Sequence, residues 1–172
     1  MGKSLLLFKD IDAFVFDFDG VLTDNIVFLD QNGVESVACS RADGLAFDVL
    51  HKLRKPAYIL STENNPVVTA RANKLKVFAL QGVSNKVEGI NKIAEKEGFS
   101  LQNVLYVGND LNDYQVMQLC GHTACPADSH IAIKGISDIV LKTKGGNGVV
   151  RELLEQVLEL DFIKILYSKN EE

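Results

Sequence analysis

Cysteine is scarce in this sequence, and the few that occur exclude the usual cysteine-based architectures. Their number is odd and no two have Cys-x-x-Cys spacing, so neither a disulfide framework nor a thiol redox motif is predicted. Cys120, His122 and Cys125 lie close together, but no fourth ligand follows at zinc-finger spacing. We therefore expect Cys39, Cys120 and Cys125 to be reduced thiols, buried as small apolar side chains.

Basic charge and long apolar runs are also lacking. The net charge of −5 argues against a nucleic-acid partner, because domains that bind nucleic acid carry a basic face. A small anionic substrate is compatible with this charge if basic side chains gather locally. Near the N-terminus, residues 5–8 form an apolar run too short for a signal-peptide core or a membrane span. We expect a cytoplasmic protein with no membrane partner.

Room for a second ordinary domain is missing as well, so 172 residues predict one domain over 1–172. Short apolar runs alternate with helical stretches, which is typical of an α/β fold. We predict a three-layer, doubly wound (Rossmann-like) parallel sheet. Its predicted strands are residues 13–16, 57–60, 77–80, 104–107 and 138–141.

Helices are predicted between these strands from apolar side chains spaced three and four residues apart. They cover about residues 44–53, 66–75, 86–94 and 148–160, and a C-terminal helix and charged tail together span about 148–172, with the tail at 169–172. One stretch departs from this pattern. Residues 26–39 are β-rich on both sides of Asn32-Gly33, a dipeptide typical of tight turns, and predict a β-hairpin.

Acidic side chains follow two of the predicted strands. Asp17 and Asp19 follow the first strand, and Asp110 and Asp113 follow the strand at 104–107. Ligands of open parallel sheets bind at the carboxyl ends of the strands, so these carboxylates are expected to meet at one edge. Acids so close together would repel one another unless a divalent cation joins them, which predicts a magnesium site.

Hydroxyl and amino groups follow other strands. Ser61 and Thr62 end the strand at 57–60, and Lys86 opens a helix whose N-terminal amides favour anions. Phosphoryl transfer needs a carboxylate nucleophile, a metal, hydroxyl donors and a fixed positive charge. Each residue alone also fits a turn or a helix cap, but their order along one sheet favours this chemistry.

Together these residues resemble the four motifs of the haloacid dehalogenase superfamily of phosphatases. The matching segments are Asp-x-Asp-Gly-Val-Leu-Thr at 17–23, Ser61, Lys86, and Gly-Asn-Asp-x-x-Asp at 108–113. They span almost the whole chain and occur in the superfamily's order.

The resemblance implies a role for each residue. Asp17 would form an aspartyl-phosphate, and Asp19 would protonate the leaving alcohol and then activate water. Mg²⁺ would be bound by Asp17, the backbone carbonyl of Asp19, and Asp110. Ser61 and Lys86 would hold the transferring phosphoryl group. The supporting residues in the same motifs are Gly20, Asn109 and Asp113.

A separate cap domain, which many members of this superfamily carry, has no room in this chain. Only the hairpin and one helix fit between Asp17 and Ser61. Water must then be excluded by other means, and the hairpin is the candidate because an isolated two-stranded ribbon is only marginally stable. The resemblance implies a homotetramer in which the hairpin or tail of one subunit covers a neighbour's site.

Further segments are similar to those of capless phosphatases that act on 2-keto-3-deoxy sugar acids. They are Arg-Ala-Asp-Gly at 41–44 and Gly-Gly-Asn-Gly-Val-Val-Arg-Glu at 145–152. Two substrate classes compete: 3-deoxy-D-manno-octulosonate 8-phosphate, a lipopolysaccharide precursor, and nonulosonate (sialic-acid-type) 9-phosphates. Octulosonate phosphatases usually have Thr-Gly-Arg after the second strand. This sequence has Ser-Thr-Glu at 61–63, which resembles the nine-carbon enzymes.

The nine-carbon resemblance supplies the candidate substrate-binding residues. Arg71 and Lys74 are three apart on one helix and would meet a substrate carboxylate, while Glu63 would accept sugar hydroxyls. Arg41 and Thr62 are the other candidates. A solvated helix face is the alternative role for Arg71 and Lys74. We expect a nonulosonate 9-phosphate as substrate, with the octulosonate phosphate as the alternative.

Two other functions stay open at the level of sequence. This chain also resembles the phosphatase-like domains found beside sialic acid cytidylyltransferases. Some of these domains lack the nucleophile and serve for assembly. A non-catalytic assembly domain with a cytidylyltransferase partner is therefore one alternative. The presence of Asp17, Asp19, Lys86 and Asp110 favours an enzyme. A phosphomutase would also pass through an aspartyl-phosphate, but without a cap to hold a bisphosphate, hydrolysis is favoured.

Overall fold

A parallel sheet forms the centre of the computed structural model, which describes residues 6–168. The strands of this region are Ala13–Phe16 (β1), Phe28–Leu29 (β2), Glu35–Ser36 (β3), Ala57–Leu60 (β4), Phe78–Leu80 (β5), Val104–Val107 (β6), His122–Cys125 (β7) and Ile139–Val140 (β8). Six of them form the sheet in the order β5-β4-β1-β6-β7-β8, with all neighbours parallel. The chain winds from β1 to one edge and from β6 to the other, which confirms the predicted doubly wound fold.

Helices cover both faces of this sheet. They are Arg41–Lys52 (α1), Val67–Leu75 (α2), Lys86–Glu97 (α3), Tyr114–Met117 (α4), Ile131–Ile136 (α5), Val149–Glu152 (α6) and Phe162–Tyr167 (α7), and a π-helical turn, Leu153–Val157, continues α6. Phe14 and Phe16 of β1 pack in one core with α1, α2 and α6, while Ala13 and Val15 pack on the other face with α3 and α4. The continuous apolar run of β1 is therefore buried on both sides. Within the described chain, no helix is long and apolar enough to cross a bilayer.

Several predicted boundaries are wrong by a few residues. Helix α1 begins at Arg41 rather than at 44, because the hydroxyl of Ser40 accepts a hydrogen bond from the first turn and caps it. The helix predicted over 148–160 ends at Val157, and a new helix, α7, starts after Asp161, which caps it through a 2.9 Å bond from the Lys164 amide. The predicted tail at 169–172 lies outside the described residues.

Strand β7 is not apparent in the sequence, because it lacks the apolar run that marks the other strands. It pairs with β6, with Leu105 opposite His122 and Val107 opposite Ala124. The polar Thr123 is accommodated because its hydroxyl bonds to Asp138 at 3.0 Å. Residues 123–125 are nevertheless buried, so pairing with β6 and β8, rather than a run of large apolar side chains, identifies this strand.

The cysteines are free thiols, and only Cys125 is buried, whereas Cys39 and Cys120 are half-buried. The expectation of burial is thus wrong for two of the three. Among residues 6–168, no three His, Cys, Asp or Glu side chains are grouped closely enough to hold a metal ion, so Cys120, His122 and Cys125 do not form a zinc site.

The predicted hairpin, residues 26–39, is present with shorter strands than its sequence indicates. Strands β2 and β3 form only two residue pairs. The turn is closed by Asp30, whose carboxylate accepts hydrogen bonds from the amides of Asn32 at 2.8 Å and Val34 at 2.9 Å. An isolated antiparallel bridge between Thr23 and Cys39 joins the base of the hairpin. The hairpin therefore leaves the sheet from the loop that follows β1.

Candidate active site

The candidate site lies at the carboxyl ends of β1 and β6, the two strands that meet where the winding of the sheet reverses. A cavity of about 360 Å³ opens there. Its lining residues are Asp17, Asp19, Asn25, Thr62, Asn109, Asp110, Leu111 and Asn112. Sequence reasoning missed Asn25, Leu111 and Asn112 as site residues, because none of them carries a charge that marks it as a catalytic or metal-binding candidate.

Asp17 is the first residue beyond β1. Its amide donates to the carbonyl of Val107 at 2.9 Å, which ties the residue to β6. One carboxylate oxygen, Oδ1, accepts a hydrogen bond from the Phe18 amide at 2.7 Å and lies 2.7 Å from Nζ of Lys86. Burial raises the pKa of Asp17 to about 8; the charge of Asp113 raises it too, and Lys86 opposes both. The carboxylate is thus oriented by two donors.

A buried network lies behind Asp17. Nζ of Lys86 also lies 2.6 Å from Oδ1 of Asp113, which accepts a further bond from the Tyr106 hydroxyl at 2.8 Å. The other oxygen of Asp113 accepts from the Asn109 amide at 2.9 Å. Burial alone would lower the pKa of Lys86, but the carboxylates of Asp17 and Asp113 outweigh it and raise that pKa. The ammonium is therefore held charged between two acids.

Two glycines permit this close packing. A Cβ at Gly20, where φ is 81°, would lie 1.9 Å from the side-chain amide of Asn109. A Cβ at Gly108 would lie 2.6 Å from Cγ of Asp113. Any larger residue at either position would displace a side chain of the site.

Oxygen atoms suited to a hard cation converge beside Asn109. With its amide nitrogen turned toward them, Asn109 donates to Oδ2 of Asp17 at 3.2 Å and to the backbone carbonyl of Asp19 at 2.9 Å. Asp110 lines the same cavity. Magnesium is commonly held by one or two carboxylates, with water and phosphate oxygens completing its shell. Two carboxylates and a carbonyl therefore fit Mg²⁺, without a cluster of three acidic side chains.

Asp19 is half-buried at the cavity. Burial raises its pKa, and the nearby charge of Glu63 raises it further, while the Thr23 hydroxyl, 3.5 Å from Oδ1, opposes the shift. Glu63 is itself fixed, because its carboxylate accepts hydrogen bonds from the amides of Asn64 at 2.7 Å and Asn65 at 2.8 Å. A carboxyl group with a raised pKa is suited to donating a proton.

The remaining predicted residues are placed in different ways. Ser61 is buried at the end of β4, where its hydroxyl accepts a bond from the Glu63 amide at 3.1 Å. Arg71 donates to the carbonyl of Ser40 at 2.7 Å, and Lys74 is exposed on α2. Arg41 is exposed at the start of α1. The residues that line the cavity include neither Arg41 nor Arg71 nor Lys74.

The segments at 41–44 and 145–152 form structural ties. Asp43 is buried, and its carboxylate accepts a hydrogen bond from the Arg151 amide at 3.1 Å, in the first turn of α6. Burial raises the pKa of Asp43 to about 6. Glu152 accepts from the amides of Lys142 at 2.9 Å and Thr143 at 2.7 Å. These two acids therefore fasten α1, α6 and the loop after β8 together.

Comparison with known proteins gives a consistent result. A profile of haloacid dehalogenase-like hydrolases matches residues 50–153. The 3-deoxy-D-manno-octulosonate 8-phosphate phosphatase of Escherichia coli K12 is 32% identical over 151 residues, which cover 87% of this chain and 80% of that protein. The enzyme of the same name from Haemophilus influenzae is 30% identical, with 88% and 84% covered.

Solved structures agree with these relatives. A HAD family protein from Streptomyces avermitilis has a TM-score of 0.88 and 40% identity, covering 92% of this chain and 91% of that one. The 3-deoxy-D-manno-octulosonate 8-phosphate phosphatase from Moraxella catarrhalis, solved with magnesium, phosphate and a KDO molecule, has a TM-score of 0.83 and 28% identity, with 88% and 87% covered.

Proposed function

The chain belongs to the haloacid dehalogenase-like hydrolase family, and on that premise we propose that it removes the phosphate from a 2-keto-3-deoxy sugar acid. It is a phosphatase that uses magnesium. One observation carries the proposed mechanism: the Asp17 carboxylate lies 2.7 Å from the Lys86 ammonium beside a cavity that Asp19 and Asp110 also line.

In the first step, a carboxylate oxygen of Asp17 attacks the phosphorus of the ester. The bond between phosphorus and the sugar oxygen breaks, and Asp19 donates its proton to that oxygen. The products are an aspartyl-phosphate and the free sugar alcohol. The Phe18 amide and Lys86 hold the attacking carboxylate in one orientation, which favours in-line transfer.

In the second step, a water molecule attacks the phosphorus. Asp19, now ionised, takes a proton from that water, and the bond from phosphorus to Asp17 breaks, so inorganic phosphate leaves and both acids return to their starting states. The raised pKa of Asp19 suits a group that must give up a proton in one step and accept one in the next.

The remaining site residues bind the phosphoryl group and the metal. Lys86 supplies a fixed positive charge, and Ser61 and Thr62 supply hydroxyls at the end of β4. Asp17, the Asp19 carbonyl and Asp110 would hold Mg²⁺, which would supply positive charge to neutralise the phosphoryl oxygens.

The preferred substrate is 3-deoxy-D-manno-octulosonate 8-phosphate, which differs from the expectation drawn from the sequence. The names of the curated relatives support it. The nine-carbon candidate keeps one specific observation in its favour: Glu63, where octulosonate phosphatases usually have arginine, lies close enough to Asp19 to raise its pKa. An ionised acid at this position can accept hydrogen bonds from sugar hydroxyls.

Rates on a panel of sugar-acid phosphates test the substrate. The octulosonate 8-phosphate should give the highest kcat/KM, above nonulosonate 9-phosphates, simple sugar phosphates and an aryl phosphate. A higher kcat/KM for a nonulosonate 9-phosphate would reverse the order. Arg71→Ala then tests the nine-carbon alternative. If Arg71 binds the carboxylate of a nonulosonate 9-phosphate, the variant should raise KM for that substrate and leave KM for an aryl phosphate unchanged.

Closure of the site is proposed to come from a homotetramer in which the hairpin of one subunit covers a neighbour's cavity. The exposed apolar side chains of the hairpin, Phe28, Leu29 and Val34, support a covered surface there. Sedimentation of the full chain tests the assembly. The rival assembly-domain function with a cytidylyltransferase partner requires no turnover, and measurable hydrolysis by the isolated chain would exclude a purely structural role.

A further inference from the structure

We propose that Gly145 and Gly146, anchored by Asp128, are positioning residues that hold the loop carrying Asp19 where it can protonate the leaving oxygen. The inference rests on the proposed role of Asp19. It gives the glycine-rich segment at 145–148 a part in the reaction.

The loop that carries Asp19 is a tight turn whose apolar side chains, Phe18, Val21 and Leu22, are buried in the core. The amides of Leu22 and Thr23 both bond to the carbonyl of Phe18, at 2.9 Å and 3.1 Å. The Thr23 hydroxyl accepts from the Gly20 amide at 3.2 Å and lies 3.5 Å from Asp19 Oδ1. The position of the Asp19 carboxyl group therefore follows the position of the turn at 18–23.

The two glycines back this turn by contact between main chains. A Cβ at Gly145 would lie 2.2 Å from the carbonyl oxygen of Gly20 and 2.9 Å from that of Thr23. The Gly146 amide donates to the carbonyl of Val21 at 3.0 Å. A side chain at 145 would thus push directly on the residue that follows Asp19.

The glycine segment is itself anchored from outside. The Gly145 amide donates to Oδ1 of Asp128 at 3.0 Å, in the loop after β7. Next to it, Thr143 accepts from the Ala127 amide at 2.9 Å and donates its own amide to Glu152 at 2.7 Å. Contacts therefore run from Asp128 through Gly145 to the turn of Asp19, and a backing surface held this way limits movement of the turn.

A misplaced Asp19 has a distinctive kinetic signature. A shift of about 1 Å in a catalytic group costs up to about a hundredfold in rate. The loss falls on steps that need the proton, so it grows as the leaving group becomes more basic. A phenol of low pKa can leave as the phenolate without receiving a proton, whereas a phenol of high pKa needs a proton donor to leave. A general loss of structure would instead lower all rates alike.

Gly145→Ala tests the inference with a series of substituted phenyl phosphates at saturating Mg²⁺, with kcat/KM plotted against the pKa of the leaving phenol. We expect a loss of about tenfold or more for the most basic phenol and less than about threefold for the most acidic. Gly135→Ala is the matched control, because a Cβ there meets nothing within 4 Å. Its plot should overlay that of the wild type.

Asp128→Ala is the second variant, and it decides the matter if Gly145→Ala does not fold. It removes the anchor without adding an atom, so we expect a smaller steepening of the same plot, about two- to fivefold at the basic end. Asp161→Ala is its control. The Asp161 carboxylate also accepts a hydrogen bond from a backbone amide, but it lies at the start of α7, so this variant should leave the plot unchanged.

Two results would overturn the positioning role: parallel plots for wild type and both folded variants, or unchanged rates throughout. They are distinct from a failure of the sugar-acid proposal, which the phenyl phosphates do not test. A wild-type chain that hydrolysed no phenyl phosphate would overturn the proposed chemistry and the positioning role together.

Discussion

The hairpin at 26–39 follows β1 in the chain, yet it is built in the opposite way to the sheet edge formed by the carboxyl ends of β1 and β6. At the edge, Asp17, Lys86 and Asp113 are almost completely buried, and their charged atoms lie 2.6 to 2.7 Å apart. In the hairpin, Phe28 is 59% exposed and Leu29 is 66% exposed. The single chain therefore holds the chemical centre firmly and leaves the apolar side chains of the hairpin exposed.

The energetics of the two regions differ for the same reason. A buried charge without a partner lowers the stability of the fold, so removing one member of the network of Asp17, Lys86 and Asp113 should strongly reduce the free energy of unfolding. The hairpin has two residue pairs and little buried apolar surface, so changes there should hardly affect the fold. Four substitutions probe this contrast, from the largest expected effect to the smallest.

Asp17→Asn should reduce phosphate release from an aryl phosphate by at least about a thousandfold, because the amide is a poor nucleophile. Phosphate release with Mg²⁺ measures it. Asp10→Asn, an exposed acid outside the site, should keep full activity. Comparable rates for Asp17→Asn and wild type would show that Asp17 is not the nucleophile.

Lys86→Met should lower the free energy of unfolding by about 3–5 kcal/mol, since two buried carboxylates would face each other without a cation. Urea denaturation measures this value. Lys96→Met removes an exposed ion pair with Glu97 and should cost less than about 1 kcal/mol. Equal losses of unfolding free energy for the two variants would show that the buried network does not stabilise the fold more than an exposed ion pair does.

Asp43 lies where the hairpin passes into α1, and it gives stability a pH dependence. Its pKa is raised from 3.8 to about 6, so between these values the folded state keeps a proton that the unfolded state has released. Stability should therefore fall as pH rises from about 4 to 6, by up to about 3 kcal/mol from this group.

Unfolding of wild type and Asp43→Asn at several pH values isolates this contribution. Glu152 has a lowered pKa and acts in the opposite direction, but it is present in both proteins. The difference in unfolding free energy between variant and wild type should grow in the variant's favour from pH 4 to pH 6. A constant difference would show that Asp43 has an ordinary pKa.

Phe28→Ser should change the unfolding free energy of the monomer by less than about 0.5 kcal/mol, because the ring is mostly exposed. Phe47→Ala, a fully buried ring in the core, should cost about 3–5 kcal/mol. Denaturation at a concentration where the chain sediments as a monomer measures both. A loss of several kcal/mol for Phe28→Ser would place the hairpin in the firm part of the fold.

The same contrast explains what the sequence could predict. β1 and β6 are continuous apolar runs followed by acids, so a parallel sheet brings Asp17, Asp19 and Asp110 to one edge without further information. β7 carries polar residues and is determined by its neighbours, so no local pattern marks it. A buried strand is therefore predictable from the sequence where its side chains are large and apolar, but not where they are small or polar.

The partners of individual side chains and glycines also could not be predicted from the sequence. Tyr106 looks like one more apolar strand residue, yet its hydroxyl bonds to Asp113. The packing of Gly145 against Gly20 joins segments far apart in sequence. Arg71 lies on the predicted helix but bonds to the Ser40 carbonyl, which helical spacing could not indicate. Helix and strand patterns predict which face of an element is buried, but not which residues its side chains contact.

The most direct test of the edge as the chemical centre is to trap the covalent intermediate. Asp19→Asn protein, which keeps the nucleophile but lacks the group that activates water, is mixed with an activated aryl phosphate and Mg²⁺, quenched in acid and digested for mass spectrometry. The peptide containing Asp17 should carry one phosphoryl group. Release of the phenol with no phosphoryl group on that peptide, or with one on a different residue, would contradict the proposed mechanism.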